Sequence, residues 1–174
     1  MPDPFRLRVM KAVSAAIKGI TPANGFTHDL SDYVDADGIT RERVFRGRDL
    51  FGPSDGLPMI SILEDFRAQP IKSQSPEGGN QRNSFPILIQ GFVKDDVDHP
   101  LDPAYMLEAE VRQVMAAANV RYNILGTSDR APCVSDMVIG APICRPADNE
   151  YSTVAYFFLS VTLTLSEDLT RPFA

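Results

Sequence analysis

The residues of this chain best suited to metal or acid–base chemistry are two histidines and a short acidic run. His28 and His99 have no cysteine or second histidine at the spacing of a metal site. Neighbouring carboxylates can bind a divalent cation or transfer protons, but this run lacks the mid-loop glycine and closing glutamate of a calcium loop. We interpret it as a solvated turn before a helix. The run consists of Asp95, Asp96, Asp98 and Asp102.

Other catalytic patterns are missing from the sequence. No serine stands in a Gly-x-Ser-x-Gly elbow, and Gly78-Gly79 lacks the strand, helix and Lys-Ser/Thr pair of a phosphate loop. Cys133 and Cys144 are too few and too isolated for a zinc site, so we predict that both are small core residues. The sequence therefore predicts a protein without catalytic residues, a bound metal or a cofactor.

Composition fits one soluble domain over residues 1–174. The chain is 44% apolar and 23% charged, which is ordinary for a globular protein. A net charge of −6 is opposite to the basic surface that tight binding to nucleic acid requires. Basic residues interrupt the first twenty positions, so we expect no secretory signal and no membrane span, and a protein that stays in the cytoplasm where it is made.

Two amphipathic helices are predicted, each entered from an Asp-Pro pair. The first spans Pro4–Lys18, with Asp3 as its N-cap, and ends before Gly19. The second begins with Asp102 as its N-cap and ends near Asn119. Each has apolar residues at three- and four-residue spacing, which predicts one buried face per helix.

The strands are predicted from short β-branched runs between turn residues. Met59–Leu63 and Pro86–Lys94 form an antiparallel pair joined by the long polar hairpin loop Phe66–Ser84. Arg43–Gly56 is either an irregular strand or an arm with apolar anchors. Loop residues are expected over Asn123–Asp136. The other predicted strands are Phe26–Val34, Met137–Gly140 and Thr153–Leu165.

The last strand shows the clearest alternation in the chain. One face is wholly apolar and is predicted to be core: Phe157, Leu159, Val161, Leu163 and Leu165. The other face is aromatic at Tyr156 and Phe158 and hydroxylic at Thr162 and Thr164. We expect a helix to cover its aromatic end, and the face as a whole to meet something other than bulk water along only part of its length. The fold class predicted is α+β, a mainly antiparallel sheet flanked by two amphipathic helices.

Five segments carry a resemblance to a known family: FRLRVMKAVSAAIKGI, PMISILED, FPILIQGFVKDD, DPAYMLEAEVRQVMAAAN and STVAYFFLSVTLTL. In order and character they resemble the tail terminator proteins of tailed bacteriophages. The resemblance implies a structural virion protein of the tail and neck, assembled in the host cytoplasm. It would form a hexameric ring that caps the tail tube, ends polymerisation and joins the head-side connector. The chain departs from the family in a longer insert at Asp35–Gly56 and a proline-rich stretch at Ala141–Pro146.

A ring needs two different surfaces on each subunit. The expected partners are further copies of the chain, the tail tube protein, possible sheath subunits and the neck connector, with DNA passing through the lumen unbound. Two rivals stay open: another neck or tail tube ring protein, and a small enzyme with a site at Asp95–Asp102 or His28. The apolar arm residues alternatively cover their own core. The residues predicted at interfaces are Phe45, Leu50, Phe51, Lys72, Gln74, Asn80, Arg82, Thr162 and Thr164.

Overall fold

The computed structural model describes residues 2–52, 55–65, 80–125, 132–148 and 151–173, with the backbone alone at Asn80. A 3₁₀ turn at Pro22–Asn24 follows the first helix. The helices are α1 Phe5–Lys18, α2 Asp102–Ala116 and α3 Ala118–Arg121. The strands are β1 Tyr33–Val34, β2 Thr40–Arg41, β3 Val44–Arg46, β4 Met59–Glu64, β5 Asn80–Val93, β6 Cys133–Ile139, β7 Ile143–Arg145 and β8 Ala155–Asp168.

Six of these strands form one sheet in the order β3-β4-β5-β8-β6, with β7 also paired to β8. Only β3 and β4 run parallel; every other pairing in this sheet is antiparallel. The centre is the long β5–β8 ladder, which runs from Asn80 opposite Asp168 to Val93 opposite Ala155. The predicted α+β class and mainly antiparallel sheet are therefore confirmed.

Both long helices pack on one face of this sheet. The apolar face of β8 is fully buried there, and so are Val9, Val13 and Ile17 of α1. From α2, Leu107 and Val111 join the same core. The alternating apolar residues of β8 and the apolar faces of α1 and α2 are therefore buried together in one shared layer.

The opposite face of the sheet is covered at one end by an aromatic cluster. Met59, Phe92 and Tyr156 are its buried members, and Phe51 packs on Phe92 with ring centroids 5.1 Å apart. The prediction that a helix covers β8 near Tyr156 and Phe158 is wrong, because both helices already lie on the other face. Loop residues supply the cover instead.

The predicted strand Phe26–Val34 is wrong except at Tyr33–Val34, which pairs with Thr40–Arg41. Side chains and backbone carbonyls outside any ladder accept the N–H groups of the rest. Glu110 accepts those of Thr27 and His28, and Asp29 accepts that of Ser31. Because these donors already have acceptors, no strand pairing is needed to satisfy them.

The long strands extend beyond their predicted bounds. The Asn80–Ser84 part of the predicted hairpin loop is strand, because β8 continues to Asp168 and offers it a partner. Residues 66–79 of that loop, with Lys72 and Gln74, lie outside the described residues. Likewise β6 begins at Cys133 inside the predicted loop, whose residues 126–131 are not described.

The helix ends differ by a few residues from prediction. Pro4 and Leu101 occupy the N-cap positions, without side-chain caps, and Asp3 pairs with Lys11 at 2.5 Å instead of capping α1. The second helix ends at Ala116, because Ala117 has ψ 140° and separates it from α3. Cys133 is buried and Cys144 is half-buried against the core, as predicted; burial raises the pKa of Cys144 to about 11.

Candidate functional site

The arm, residues 43–51, is fastened to its own sheet by Arg48. The guanidinium of Arg48 stacks on two rings, 4.5 Å from the Phe45 centroid and 4.9 Å from the Phe51 centroid. Its Nη2 donates to both carboxylate oxygens of Asp55, at 2.8 and 2.7 Å, and its carbonyl oxygen accepts the hydroxyl of Ser61. One residue therefore joins the arm and the following turn through its side chain, and β4 through its backbone carbonyl.

Asp55 completes this clamp. It also accepts the N–H of Gly52 at 2.7 Å, while the N–H of Asp55 donates to the Gly52 carbonyl at 3.0 Å. Burial alone would raise the pKa of Asp55, but the Gly52 N–H and the Arg48 guanidinium outweigh it and lower that pKa. The ionised carboxylate is therefore the form that the arm conformation favours.

The three arm residues that were predicted at an interface lie in two different environments. The ring centroids of Phe45 and Phe51 lie 5.8 Å apart, with the rings tilted against each other. Both residues belong to the aromatic cluster on their own sheet. Leu50 lies between them in sequence but is 81% exposed. For the two phenylalanines, the packing favours the alternative in which they cover their own core. Of these three residues, only Leu50 has its side chain largely exposed.

Four of the other predicted interface residues, all within the described part of the chain, lie along the β5–β8 ladder. Thr162 and Thr164 are half-buried, and Arg82 is exposed near the start of β5, opposite Ser166. Asn80 lies opposite Asp168, the last residue of β8, in the same ladder. Together with exposed Ser160, the two threonines form a hydroxyl-bearing band beyond the aromatic cluster.

Two members of the acidic run, Asp96 and Asp102, line a shallow groove of about 290 Å³ together with both histidines. Asp96 accepts the N–H groups of Asp98 and His99, as the predicted turn before a helix requires. These hydrogen bonds lower the pKa of Asp96. The groove is lined by Thr27, His28, Asp96, His99, Asp102, Pro103 and Met106.

Sequence reasoning missed Glu110, which binds Thr27 and His28, two of the residues that line this groove. Its carboxylate lies 2.8 Å from Nδ1 of His28 and 2.6 Å from the Thr27 nitrogen. A signal was present, because Glu110 follows Leu107 by three and precedes Val114 by four, on the buried stripe of α2. Within residues 2–52, 55–65, 80–125, 132–148 and 151–173, no group of three or more His, Cys, Asp or Glu is placed to hold a metal ion.

A second groove, of about 250 Å³, lies between α1 and the end of α2. We call it the helix groove. Its walls are mostly apolar, and two arginines, Arg112 and Arg121, stand next to its lining residues in the sequence. The lining consists of Ala16, Phe26, Gln113, Val114, Ala117, Asn119 and Val120.

Comparison with protein-family models and with curated proteins found no match to this chain. None of the helices in the described part of the chain has the length and apolar character needed to span a membrane.

Arg48→Lys is expected to loosen the arm and to lower the free energy of unfolding by about 1–2 kcal/mol. Lysine keeps the charge but loses the fixed position of Nη2 between the two Asp55 oxygens and the planar stacking on both rings. Thermal melts and hydrogen exchange at residues 48–52 would measure both effects. Arg46→Lys is the matched control, since Arg46 is exposed on the neighbouring strand. Equal behaviour of the two variants would contradict the role given to Arg48.

Proposed function

We propose that this chain is a ring-forming structural subunit of tailed bacteriophages, of the tail terminator type. The ring, a hexamer, caps the tail tube, ends its polymerisation and presents a joining surface to the neck. Its partners are further copies of itself, the tail tube protein, sheath subunits where a sheath exists, and the neck connector. DNA passes through the lumen without specific binding.

The observation that carries this proposal is that the subunit has two unlike surfaces. Helices close one face of the sheet and bear the helix groove. The other face is closed at one end by the arm, which presents exposed Leu50. Head-to-tail contacts that close into a ring need such a pair of different surfaces, whereas a two-fold dimer uses one surface twice.

The edge strands of the sheet favour assembly into closed rings over assembly by pairing of one sheet edge with another. β3 has three residues, and β6 is irregular where Ser135 bulges between Val134 and Asp136. Pro142, which has no N–H to donate, separates β6 from β7. Short, bulged and proline-broken edges are the features by which proteins avoid edge-to-edge association.

Charge and surface chemistry agree with a lumen along which DNA slides. The chain carries −6, and the band of Ser160, Thr162 and Thr164 has hydroxyl groups but no basic side chain. Binding to the phosphate backbone depends on lysine and arginine, so a surface of this kind gives a passing duplex little to bind.

The test is the mass and shape of the purified protein, alone and with tail tubes. Light scattering is expected to give one ring mass, and electron microscopy is expected to show single rings that sit on tube ends and stop tube growth. Long tubes formed by the protein alone would identify the tube-protein alternative. Rings that ignore tube ends would favour a neck connector, and a monomer that ignores tubes would refute the proposal.

A further inference from the structure

We propose that residues 26–29 form a strap that divides one furrow along α2 into two grooves, and that this strap opens while the rest of the fold stays intact. The strap is held on α2 by Glu110. Its opening joins the two grooves. This inference concerns a movement within one subunit and is independent of the ring function proposed above.

The two grooves lie along one face of α2. We call the groove of about 290 Å³ at the start of this helix the histidine groove, and Met106 is one of its lining residues. Val114 and Ala117 line the helix groove. Glu110 follows Met106 by four residues and precedes Val114 by four, and residues at this spacing share one helix face. The two grooves are therefore parts of one furrow that is interrupted at Glu110.

The strap crosses the furrow at this interruption. Its first residue, Phe26, lines the helix groove, whereas Thr27 and His28 line the histidine groove. One short segment thus supplies a wall to each groove. Displacement of the strap removes both walls together and leaves a single continuous furrow.

Three hydrogen bonds hold the strap on α2, and Glu110 accepts all three. Its carboxylate accepts the N–H of Thr27 at 2.6 Å and the N–H of His28 at 3.3 Å, and it lies 2.8 Å from Nδ1 of the His28 ring. Because a single carboxylate is the acceptor, the three bonds are lost together when the strap moves away from it.

The strap itself buries little surface. Thr27 and Asp29 are exposed, and Phe26 and His28 are only half-buried. Residues 26–29 belong to no helix or strand, so no ladder holds their backbone. Few buried apolar contacts and no regular backbone pairing are the features of a segment that opens at a lower free energy than the core.

The two ends of the strap define where the movement begins and stops. Leu30 is fully buried, and its N–H donates to the Ile20 carbonyl at 2.8 Å, so the chain is fixed after the strap. Before the strap, Gly25 has φ 85° and has open space around it. Glycine changes its backbone angles at little cost, which suits a hinge.

Native-state hydrogen exchange, followed by NMR in low concentrations of denaturant, tests the opening in the unaltered chain. The amides of Thr27 and His28 are expected to exchange at rates that hardly change with denaturant, because a local opening exposes little surface. The amide of Leu159 in the sheet is expected to exchange at a rate that rises steeply. If the Thr27 and His28 amides show the same denaturant dependence as that of Leu159, the strap does not open separately and the inference is overturned.

Glu110→Gln tests the attachment and the joined furrow. It is expected to raise the exchange rates of the Thr27 and His28 amides roughly tenfold, because a charged acceptor becomes a neutral one. It is also expected to increase binding of the apolar dye anilinonaphthalene sulfonate, because the joined furrow exposes apolar walls. Circular dichroism checks that the variant folds.

Glu108→Gln is the matched control, because it makes the same change on the same helix but Glu108 pairs with Arg112 and not with the strap. Neither the exchange rates of the strap amides nor dye binding is expected to rise in this variant. Equal dye binding by the two glutamine variants, or unchanged exchange at Thr27 and His28 in Glu110→Gln, would overturn the inference and leave the ring function standing.

Discussion

Replacing Gly91 by alanine is expected to lower the free energy of unfolding by about 3 kcal/mol, the upper part of the usual range for overpacking a core. A Cβ atom at Gly91 would lie 2.0 Å from Cε1 of Phe157 and 2.6 Å from Cζ. The phenylalanine ring is fully buried between the sheet and the helices, so it cannot move aside without displacing the core. Denaturant unfolding followed by circular dichroism measures the loss.

Two further variants make this expectation specific. Gly52→Ala is the control, because nothing lies within 4 Å of a Cβ atom at Gly52 and its φ is not in the left-handed region. Gly91→Ala combined with Phe157→Leu is expected to cost less than the sum of the two single changes, because the smaller side chain vacates the clashing space. If Gly91→Ala lowers the free energy of unfolding no more than Gly52→Ala does, the close packing of Gly91 against Phe157 is wrong.

Gly91 also shows which part of the fold is readable from sequence. A glycine inside a strand signals close approach by another group, and Gly91 falls within the predicted strand Pro86–Lys94. The approaching group, Phe157, is 66 positions away by residue number and becomes its neighbour only through the β5–β8 register. Periodicity gives each strand its faces, but long-range register gives each residue its partner.

The errors in the sequence predictions share this cause. The polar residues 80–84 form strand because β8 continues beside them, and the loop at Thr27 and His28 needs no ladder because Glu110 binds its donors. Both outcomes depend on groups eighty or more positions away. Local patterns carry no information on such partners, whereas α1, α2 and the buried face of β8 follow from periodicity alone.

The candidate interface was readable only in part. The sequence marked Phe45, Leu50 and Phe51 as apolar residues among charges, but it did not show which of them faces outward. The difference arises from Arg48, whose guanidinium stacks on both phenylalanines and leaves Leu50 exposed. An arginine in a charged stretch of sequence is normally interpreted as a solvated residue. The structural role of Arg48 therefore becomes visible only in the folded protein.

Replacing Glu110 by glutamine is expected to lower the free energy of unfolding by about 2 kcal/mol at pH 7. The buried carboxylate accepts bonds from the Thr27 nitrogen at 2.6 Å, the His28 nitrogen at 3.3 Å and Nδ1 of His28 at 2.8 Å. Hydrogen bonds to a charged group contribute about 1.5–3 kcal/mol, and an amide presents one acceptor oxygen where the carboxylate presents two.

The same variant should lose its effect in acid. Burial alone would raise the pKa of Glu110, but the bonds from Thr27 and His28 outweigh it and lower that pKa below its ordinary value of 4.5. A lowered carboxyl pKa gives stability that is present above the ordinary value and is lost as the pH falls through the folded-state value. Denaturant unfolding at pH 7 and at pH 3 should therefore show that the difference in free energy of unfolding between the unaltered chain and Glu110→Gln is smaller at pH 3.

Glu108, two residues earlier on the same helix, should behave in the opposite way. Burial raises the pKa of Glu108, and Arg112 at 3.1 Å offsets this only in part, because its own side chain is about half exposed. A raised carboxyl pKa means that ionisation disfavours the folded state at neutral pH. Glu108→Gln is therefore expected to preserve or increase stability at pH 7. If both glutamine variants destabilise equally, helix position rather than the bonds to Thr27 and His28 determines the effect.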